Sequence, residues 1–103
     1  MLTIILHMTL KPGREMEFQD MAKQLTDVTR SQDEGCLHYT FHQQQDSPGK
    51  VVLYEQWRDR EALTAHLAHL VELLGPPAEG ENLPAAFMEN LESMSPVLYD
   101  VMA

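Results

Sequence analysis

The spacing of apolar residues changes along this chain from every second residue to every third or fourth residue. Between Leu2 and Leu10, Ile4, Leu6, Met8 and Leu10 alternate with their neighbours and share one face. This two-residue period predicts a β-strand, which ends at Lys11-Pro12-Gly13. From Arg14 to about Arg30 the spacing predicts a helix, whose apolar stripe is Phe18, Met21, Ala22, Leu25 and Val28.

The middle of the chain predicts a hairpin. Residues Cys36–Gln44 and Val51–Trp57 are rich in aromatic and β-branched side chains, which favour strands. Asp46–Gly49 lies between them and predicts the turn, because Pro48 presets φ and Gly49 permits a positive φ.

A second helix is predicted after the hairpin. Asp59 is its expected N-cap, and Gly75-Pro76-Pro77 ends it. Its apolar stripe consists of Leu63, Leu67, Leu70 and Leu74. Further along, residues 83–91 predict a short helix and residues 96–102 a last strand. Pro96 at the start of that strand indicates an edge position.

The order strand, helix, strand, strand, helix, strand predicts an α+β fold of the ferredoxin-like split βαβ type (βαββαβ). One domain then covers residues 1–103, with both helices on one face of a four-stranded antiparallel sheet. The other face also carries apolar side chains, and a second copy of the same sheet would cover it. We therefore expect a two-fold homodimer.

The charge of the chain disfavours nucleic acids and acidic membrane surfaces as partners. The formal net charge is −9, and all seven Lys and Arg residues lie at or before Arg60. A nucleic-acid binder needs a basic stripe instead. No apolar run approaches the roughly 20 residues that span a bilayer, and the apolar start lacks the basic region of a signal peptide. Together with the single Cys36, this predicts a protein of the reducing cytoplasm.

Trp57, Glu55 and His66 are the residues whose positions suggest chemistry. Trp57 ends a strand just before a helix, and Glu55 shares its face two residues earlier. A carboxylate beside an indole in a half-buried site can have a raised pKa. His66 borders the apolar stripe of the second helix, where a neutral imidazole can accept a proton. The alternatives are a core tryptophan, a paired carboxylate and a boundary histidine.

Tyr39 and His42 are further candidates for lining a pocket, but the choice between them depends on the hairpin register. No metal site is predicted. His38 and His42 lie roughly 13 Å apart along a strand, and His66 with His69 lacks further ligands at a fitting spacing. Phosphate loops and serine nucleophile motifs are also absent. Cys36 is interpreted as a small buried residue.

Three segments together resemble one family. They are Glu34-Gly35-Cys36-Leu37-x-Tyr39, Glu55-x-Trp57-x-Asp59 and Ala62-Leu63-x-x-His66. In order and spacing they resemble the antibiotic biosynthesis monooxygenase domain, and the resemblance extends over essentially the whole chain. It implies a dimeric α/β barrel with a pocket between the sheet and the helices of each subunit. Trp57 and His66 match motif positions that face this pocket.

The resemblance also bears on which activity to expect. Haem-degrading members carry an Asn on the first strand, a Trp on the second helix and a later His. This chain has Leu6 or His7, His66 and the Gly75-Pro76-Pro77 break at the corresponding places. Haem degradation is therefore not expected. Quinol-oxidising members often carry a second His after a short insert, and His69 follows His66 here without that insert.

The resulting hypothesis is a monooxygenase without metal or organic cofactor, which acts on a small phenol, quinol or polyketide-like aromatic substrate. Such a substrate, once deprotonated, can itself pass an electron to O2, so the protein need supply only a base, a dry pocket and orientation. His66 is the expected catalytic residue. Trp57, Glu55, Tyr39 and His42 are the expected pocket residues. The alternative is a non-catalytic or stress-related dimer that binds a small hydrophobic molecule.

Overall fold

The sheet of the computed structural model, which describes all 103 residues, has the strand order β2-β3-β1-β4 with every neighbouring pair antiparallel. The elements are β1 (Leu2–Leu10), α1 (Glu15–Gln32), β2 (Cys36–Gln44), β3 (Ser47–Trp57), α2 (Arg60–Leu74), α3 (Ala85–Met88) and β4 (Leu91–Tyr99). This is the βαββαβ arrangement that the periodicity predicts, and the ferredoxin-like α+β fold is confirmed.

The core lies between the helices and one face of the sheet. Alternate residues of β1 and β3 point into it, as the two-residue period requires; they are Ile4, Leu6, Met8, Leu10, Val51, Leu53, Glu55 and Trp57. Helix α1 covers them with Phe18, Ala22, Leu25 and Thr29. Complete burial of one large apolar side chain such as Phe18 stabilises the fold by about 1.5–3 kcal/mol.

Helix α2 is rotated relative to the prediction from its leucines. Its buried residues are Ala62, His66 and Leu70, each four positions apart, whereas Leu63 and Leu67 are only half-buried. His66 therefore lies at the centre of the buried face and not at its border. The predicted N-cap is confirmed, because the Asp59 carboxylate accepts a hydrogen bond of 2.9 Å from the Ala62 amide.

The hairpin turn lies earlier than predicted. The turn is Gln45-Asp46, and Pro48 and Gly49 belong to β3. The strand can contain this proline because the register shifts between Gln43 and Gln44. The resulting bulge interrupts the ladder of backbone hydrogen bonds, so the N–H that proline lacks is not needed there. The Pro48 carbonyl accepts a hydrogen bond of 2.8 Å from the Gln43 side chain.

The last strand begins at Leu91, five residues before the predicted start, and the preceding helix has only one turn. Asn90 causes this early change. Its buried side chain donates to the Ala86 carbonyl, and its own carbonyl accepts from Lys11, which lies just after β1. Pro96 therefore lies in mid-strand, opposite Leu6. The predicted edge position of the strand is confirmed, since β4 pairs with β1 alone.

The second face of the sheet carries no helix. Ile5 lies between its register partners Tyr54 and Val97, and these three side chains form the half-buried apolar centre of this face. None of the helices is sufficiently long and apolar to cross a membrane.

Candidate functional site

Trp57 is the centre of a buried cluster at one end of the sheet. Its side chain has no solvent exposure, and its indole Nε1 donates a hydrogen bond of 3.0 Å to Glu55 Oε1. Both side chains point towards the helices because they lie two residues apart on β3. Burial raises the pKa of Glu55 to about 7, and the bond from Trp57 only partly opposes this shift. Glu55 therefore changes charge near neutral pH.

His66 packs against the indole from the helix side. The two ring centroids are 4.5 Å apart, and the ring planes are inclined by 37°. His66 Nδ1 lies 2.5 Å from Asp33 Oδ2. Burial lowers the pKa of His66, although the Asp33 carboxylate acts in the opposite direction. The neutral imidazole then donates its Nδ1 proton to Asp33, which leaves Nε2 as an acceptor.

The free nitrogen of His66 can exchange a proton with a bound molecule. Nε2 makes no hydrogen bond within the chain, whereas Nδ1 is bound to Asp33. No buried side-chain nitrogen or oxygen lacks a partner, so Nε2 retains some contact with solvent. An imidazole with one nitrogen held by a carboxylate and the other free is the arrangement of a general base.

Asp33 is the residue of this site that the sequence did not reveal. It is the C-cap of α1, and its carboxylate lies between two histidines of α2. Oδ2 contacts His66, and Oδ1 lies 2.6 Å from His69 Nδ1. His69 is largely buried as well, since only 21% of its side chain is exposed. The spacing of His66 and His69 on one helix face was the available signal for a shared partner.

Tyr39 completes the aromatic wall. It is buried on β2, and its ring lies edge-on to both His66 and Trp57, with centroid distances of 5.3 and 6.4 Å. Burial raises the pKa of Tyr39 well above its usual value, and the nearby Glu55 adds to the shift. The side chain is therefore a neutral phenol.

His42, the remaining pocket candidate, lies apart from this cluster. Residues three positions apart on a strand point to opposite faces, and His42 is exposed on the face that carries no helix. Its Nε2 lies 2.9 Å from the Thr40 hydroxyl. Four of the five predicted residues thus meet in one place, and the hairpin register separates the fifth.

The cluster itself is tightly packed, and a cavity lies further along the same interior. None of the four main cavities has Trp57 or His66 in its wall. A cavity of about 200 Å³ lies between α1 and the sheet, where Phe18 and Phe41 form part of its wall. Phe41 in turn packs edge-on against Tyr39, at a centroid distance of 5.7 Å. No group of three or more His, Cys, Asp or Glu side chains is arranged to hold a metal ion.

The sequence of the chain matches a family model described as antibiotic biosynthesis monooxygenase over residues 1–70. The chain belongs to this family. All the residues of the buried cluster lie inside the matched segment, which ends within α2. Helix α3 and strand β4 follow the matched segment.

Solved structures of other proteins share the fold of this chain. One, described as an antibiotic biosynthesis monooxygenase, is 26% identical with a TM-score of 0.77, and the match covers 100% of both chains. A conserved protein from Methanosarcina mazei Go1 is 23% identical with a TM-score of 0.77, covering 95% of this chain and 89% of that one.

A curated relative is the uncharacterised protein sll1783 of Synechocystis, which is 30% identical over 57 residues. The matched segment is 55% of this chain but only 38% of that relative. It thus relates this chain to part of a longer protein.

Proposed function

We propose that this protein is a monooxygenase that needs no metal or organic cofactor and oxidises a small phenol, quinol or related aromatic compound with O2. The observation that supports this proposal is the buried His66 imidazole, held by Asp33 at one nitrogen and free at the other. A phenolate is a far better electron donor to O2 than the neutral phenol, so a base is the main requirement of such a reaction.

The proposed reaction begins when His66 Nε2 takes the phenol proton, and Asp33 stabilises the resulting imidazolium. The phenolate passes one electron to O2, and the two radicals combine at a ring carbon that carries hydrogen. The resulting peroxide anion takes the proton back from the His66 imidazolium and becomes a hydroperoxide. The hydroperoxide then loses the ring hydrogen as a proton and its outer oxygen as hydroxide, which together leave as water, while a carbonyl forms at the same carbon. One oxygen atom of O2 thus enters the quinone, the other leaves as water, and the substrate supplies all four electrons.

Trp57 and Tyr39 would form the walls against which the aromatic ring lies. Glu55, fixed by the indole, would supply a polar group beside the ring. Because His66 is only 2% exposed, substrate entry requires side chains near Nε2 to move aside. Once the substrate is bound, the same side chains would close around it and keep water away from the radical pair.

Oxygen uptake with a panel of quinols and anthrone-like phenols tests this proposal. The variants His66→Gln and His69→Gln each remove one histidine that binds Asp33, and only the first removes the proposed base. We expect His66→Gln to reduce turnover by about 10²–10⁴-fold and His69→Gln to retain most of it. Turnover that survives the loss of His66 would contradict the assignment of the base.

The functional unit is proposed to be a homodimer in which two sheets pack through their uncovered faces. The apolar centre at Ile5, Tyr54 and Val97 supports this, since packing of two such faces would remove these side chains from water. Sedimentation at micromolar concentration should give twice the monomer mass. An Ile5→Glu variant should sediment as a monomer, and a wild-type monomer would contradict the proposal.

The second candidate is a non-catalytic protein that binds a small hydrophobic molecule. The cavity of about 200 Å³ beside Phe18 and Phe41 favours it, because that space is already open whereas the His66 cluster is closed. Thermal shifts with neutral aromatic ligands, together with no oxygen uptake on any member of the panel, would support this candidate. A Phe41→Ala variant should then change ligand affinity, whereas His66→Gln should not.

A further inference from the structure

Glu55 is a buried acid for which the fold provides no positive charge. Its side chain lies in the core beneath the helices, with only 6% of the residue exposed. It takes part in no salt bridge, although a buried carboxylate is ordinarily paired with a cation. A glutamine could accept the same hydrogen bond from Trp57 without the cost of burying a charge. Stability therefore does not explain why this position carries a carboxyl group.

The side chains around Glu55 are apolar or neutral. Its register partners are Tyr39 on β2 and Ile4 on β1. Cys36 is the other titratable group of β2 that acts on it, and both Tyr39 and Cys36 have raised pKa values and are neutral. From the helix side, the neutral His66 packs against the indole to which Glu55 is bound. Burial without a cation therefore keeps a large fraction of Glu55 protonated at neutral pH.

Trp57 holds this acid and the proposed base against one ring. The imidazole of His66 packs against the indole at a centroid distance of 4.5 Å, and Glu55 Oε1 accepts the indole N–H at its edge. Because Oε1 is the acceptor, the proton of the neutral acid lies on Oε2. Oε2 makes no hydrogen bond within the chain, and no buried side-chain oxygen lacks a partner, so Oε2 retains some contact with solvent. An aromatic molecule bound beside the indole would therefore meet both a proton acceptor and a proton donor.

From this arrangement we infer that Glu55 is a second catalytic residue, the general acid that assists cleavage of the O–O bond in the hydroperoxide. This inference rests on the proposed function. Glu55 Oε2 gives its proton to the outer oxygen, which takes the electron pair of the O–O bond and leaves as water. Neutral His66 takes the ring hydrogen as a proton, and the electron pair of the C–H bond forms the carbonyl.

One further proton transfer restores both residues. The His66 imidazolium returns its proton to the Glu55 carboxylate, so the hydroperoxide has lost one molecule of water and no other reactant is needed. Burial raises the pKa of Glu55 to about 7 and lowers that of His66, which favours transfer in this direction. Two titratable groups whose surroundings move their pKa values apart are the usual arrangement of an acid and a base that act together.

Rapid-mixing experiments that follow O2 consumption and quinone absorbance in the first turnover test the inference. Glu55→Gln keeps an acceptor for Trp57 but has no acidic proton, and it should fold because it removes only a buried charge. We expect it to consume O2 at the wild-type rate and to form quinone about 10²–10⁴-fold more slowly. The missing quinone should be recovered as peroxide. Glu61→Gln, at an exposed position of α2, is the control and should keep both rates.

The outcomes separate this inference from the proposed function. Quinone formation at the wild-type rate in Glu55→Gln would overturn the inference and leave the proposed oxidation intact. An equal loss of O2 consumption and quinone formation would also overturn it, because Glu55 would then act before the peroxide forms. If the wild-type protein consumes no O2 with any member of the panel, the proposed function fails and the inference fails with it.

The pH dependence of quinone formation provides a second measurement. The acid form of Glu55 is lost as the pH rises through about 7, so wild-type quinone formation should slow roughly 10-fold or more between pH 6.5 and pH 8.5. Tyr39 and Cys36 stay neutral in this range, and the lowered pKa of His66, which is bound to Asp33, keeps its imidazole neutral. Glu55→Gln should lack this decrease. A wild-type rate that does not change with pH would overturn the inference.

Discussion

The interior between the helices and the sheet has two ends that are packed in different ways. At the Trp57 end, aromatic rings and titratable groups fit together closely, and a carboxylate from α1 joins two histidines of α2. At the Phe18 end, the side chains are mainly apolar and leave a cavity of about 200 Å³. The Trp57 end is thus suited to holding groups in fixed geometry, and the Phe18 end has space for larger side chains. The same kind of substitution should therefore have different effects at the two ends.

The largest difference is expected for acidic residues. Asp33→Ala removes the partner of both His66 and His69, and each bond to a charged group contributes about 1.5–3 kcal/mol. We expect a loss of about 3–5 kcal/mol in the free energy of unfolding. Glu17→Ala near the other end removes only an exposed pair with Arg14, which contributes less than about 1 kcal/mol. Urea unfolding of both variants measures the contrast, and similar losses would show that the Asp33 contacts add little stability.

The second prediction concerns the pH dependence of the Trp57 end. Glu55 has a pKa of about 7 in the folded protein and 4.5 as its reference value, so the folded state binds the proton more tightly. Its contribution is complete below pH 4.5 and is lost as the pH rises to about 7, a change of about 3 kcal/mol. Glu55→Gln should therefore gain stability relative to wild type between pH 4.5 and 8.

Urea unfolding of Glu55→Gln and wild type at pH 5 and pH 8 measures this difference. The lowered pKa of His66 acts in the opposite direction, since its contribution falls as the pH drops through the folded-state value. For this reason the variant must be compared with wild type at each pH. The exposed Glu61→Gln is the control and should show no such trend. If the difference in unfolding free energy between Glu55→Gln and wild type did not depend on pH, the raised pKa of Glu55 would be contradicted as its cause.

The third prediction compares two glycines with positive φ. Gly35 at the Trp57 end has φ +87°, and a Cβ there would lie 2.6 Å from the Ala62 Cβ. Gly13 before α1 has φ +83° with no atom within 4 Å. Gly13→Ala should cost about 1 kcal/mol from backbone strain alone, and Gly35→Ala about 3 kcal/mol because overlap is added. Equal shifts in melting temperature would mean that α2 moves aside easily.

The smallest expected effect comes from enlarging one alanine on each helix. Ala62→Leu at the packed end should destabilise the protein by about 1–3 kcal/mol. Ala22 lies in the wall of the cavity, so Ala22→Leu would fill part of that space and should stabilise the protein by about 1 kcal/mol. Thermal unfolding of the two variants gives opposite signs if the two ends differ as described. Destabilisation by Ala22→Leu would indicate that the cavity cannot accept a larger side chain.

The parts of the fold set by local periodicity were predictable from the sequence. The order of strands and helices follows from the two apolar spacings, and Glu55 and Trp57 share a face for the same reason. The orientation of α2 was not predictable in this way, because the spacing of its leucines does not show which of its side chains fit against the sheet. The sheet presents the Trp57 indole there, and the imidazole of His66 packs against it, whereas Leu63 and Leu67 remain half-buried.

The other features that could not be predicted depend on contacts between residues that are distant in the sequence. Asp33 and His66 are 33 positions apart, and only the packing of α1 beside α2 brings them together. The role of Asn90 in starting β4 depends on its contacts with Ala86 and Lys11, which the pattern of the last strand does not contain. The position of His42 depended on the hairpin register, and the bulge before Val51 decides it. Such features require three-dimensional structure.

The proline in the middle of the edge strand β4 has a consequence for the behaviour of the protein at high concentration. Pro96 cannot offer a backbone N–H to an incoming strand, so growth of the sheet by addition of another chain is interrupted there. The opposite edge, β2, has no proline within Cys36–Gln44. Edge-to-edge association could therefore occur only through β2. Because each molecule has one such edge, association would stop once two β2 edges have paired.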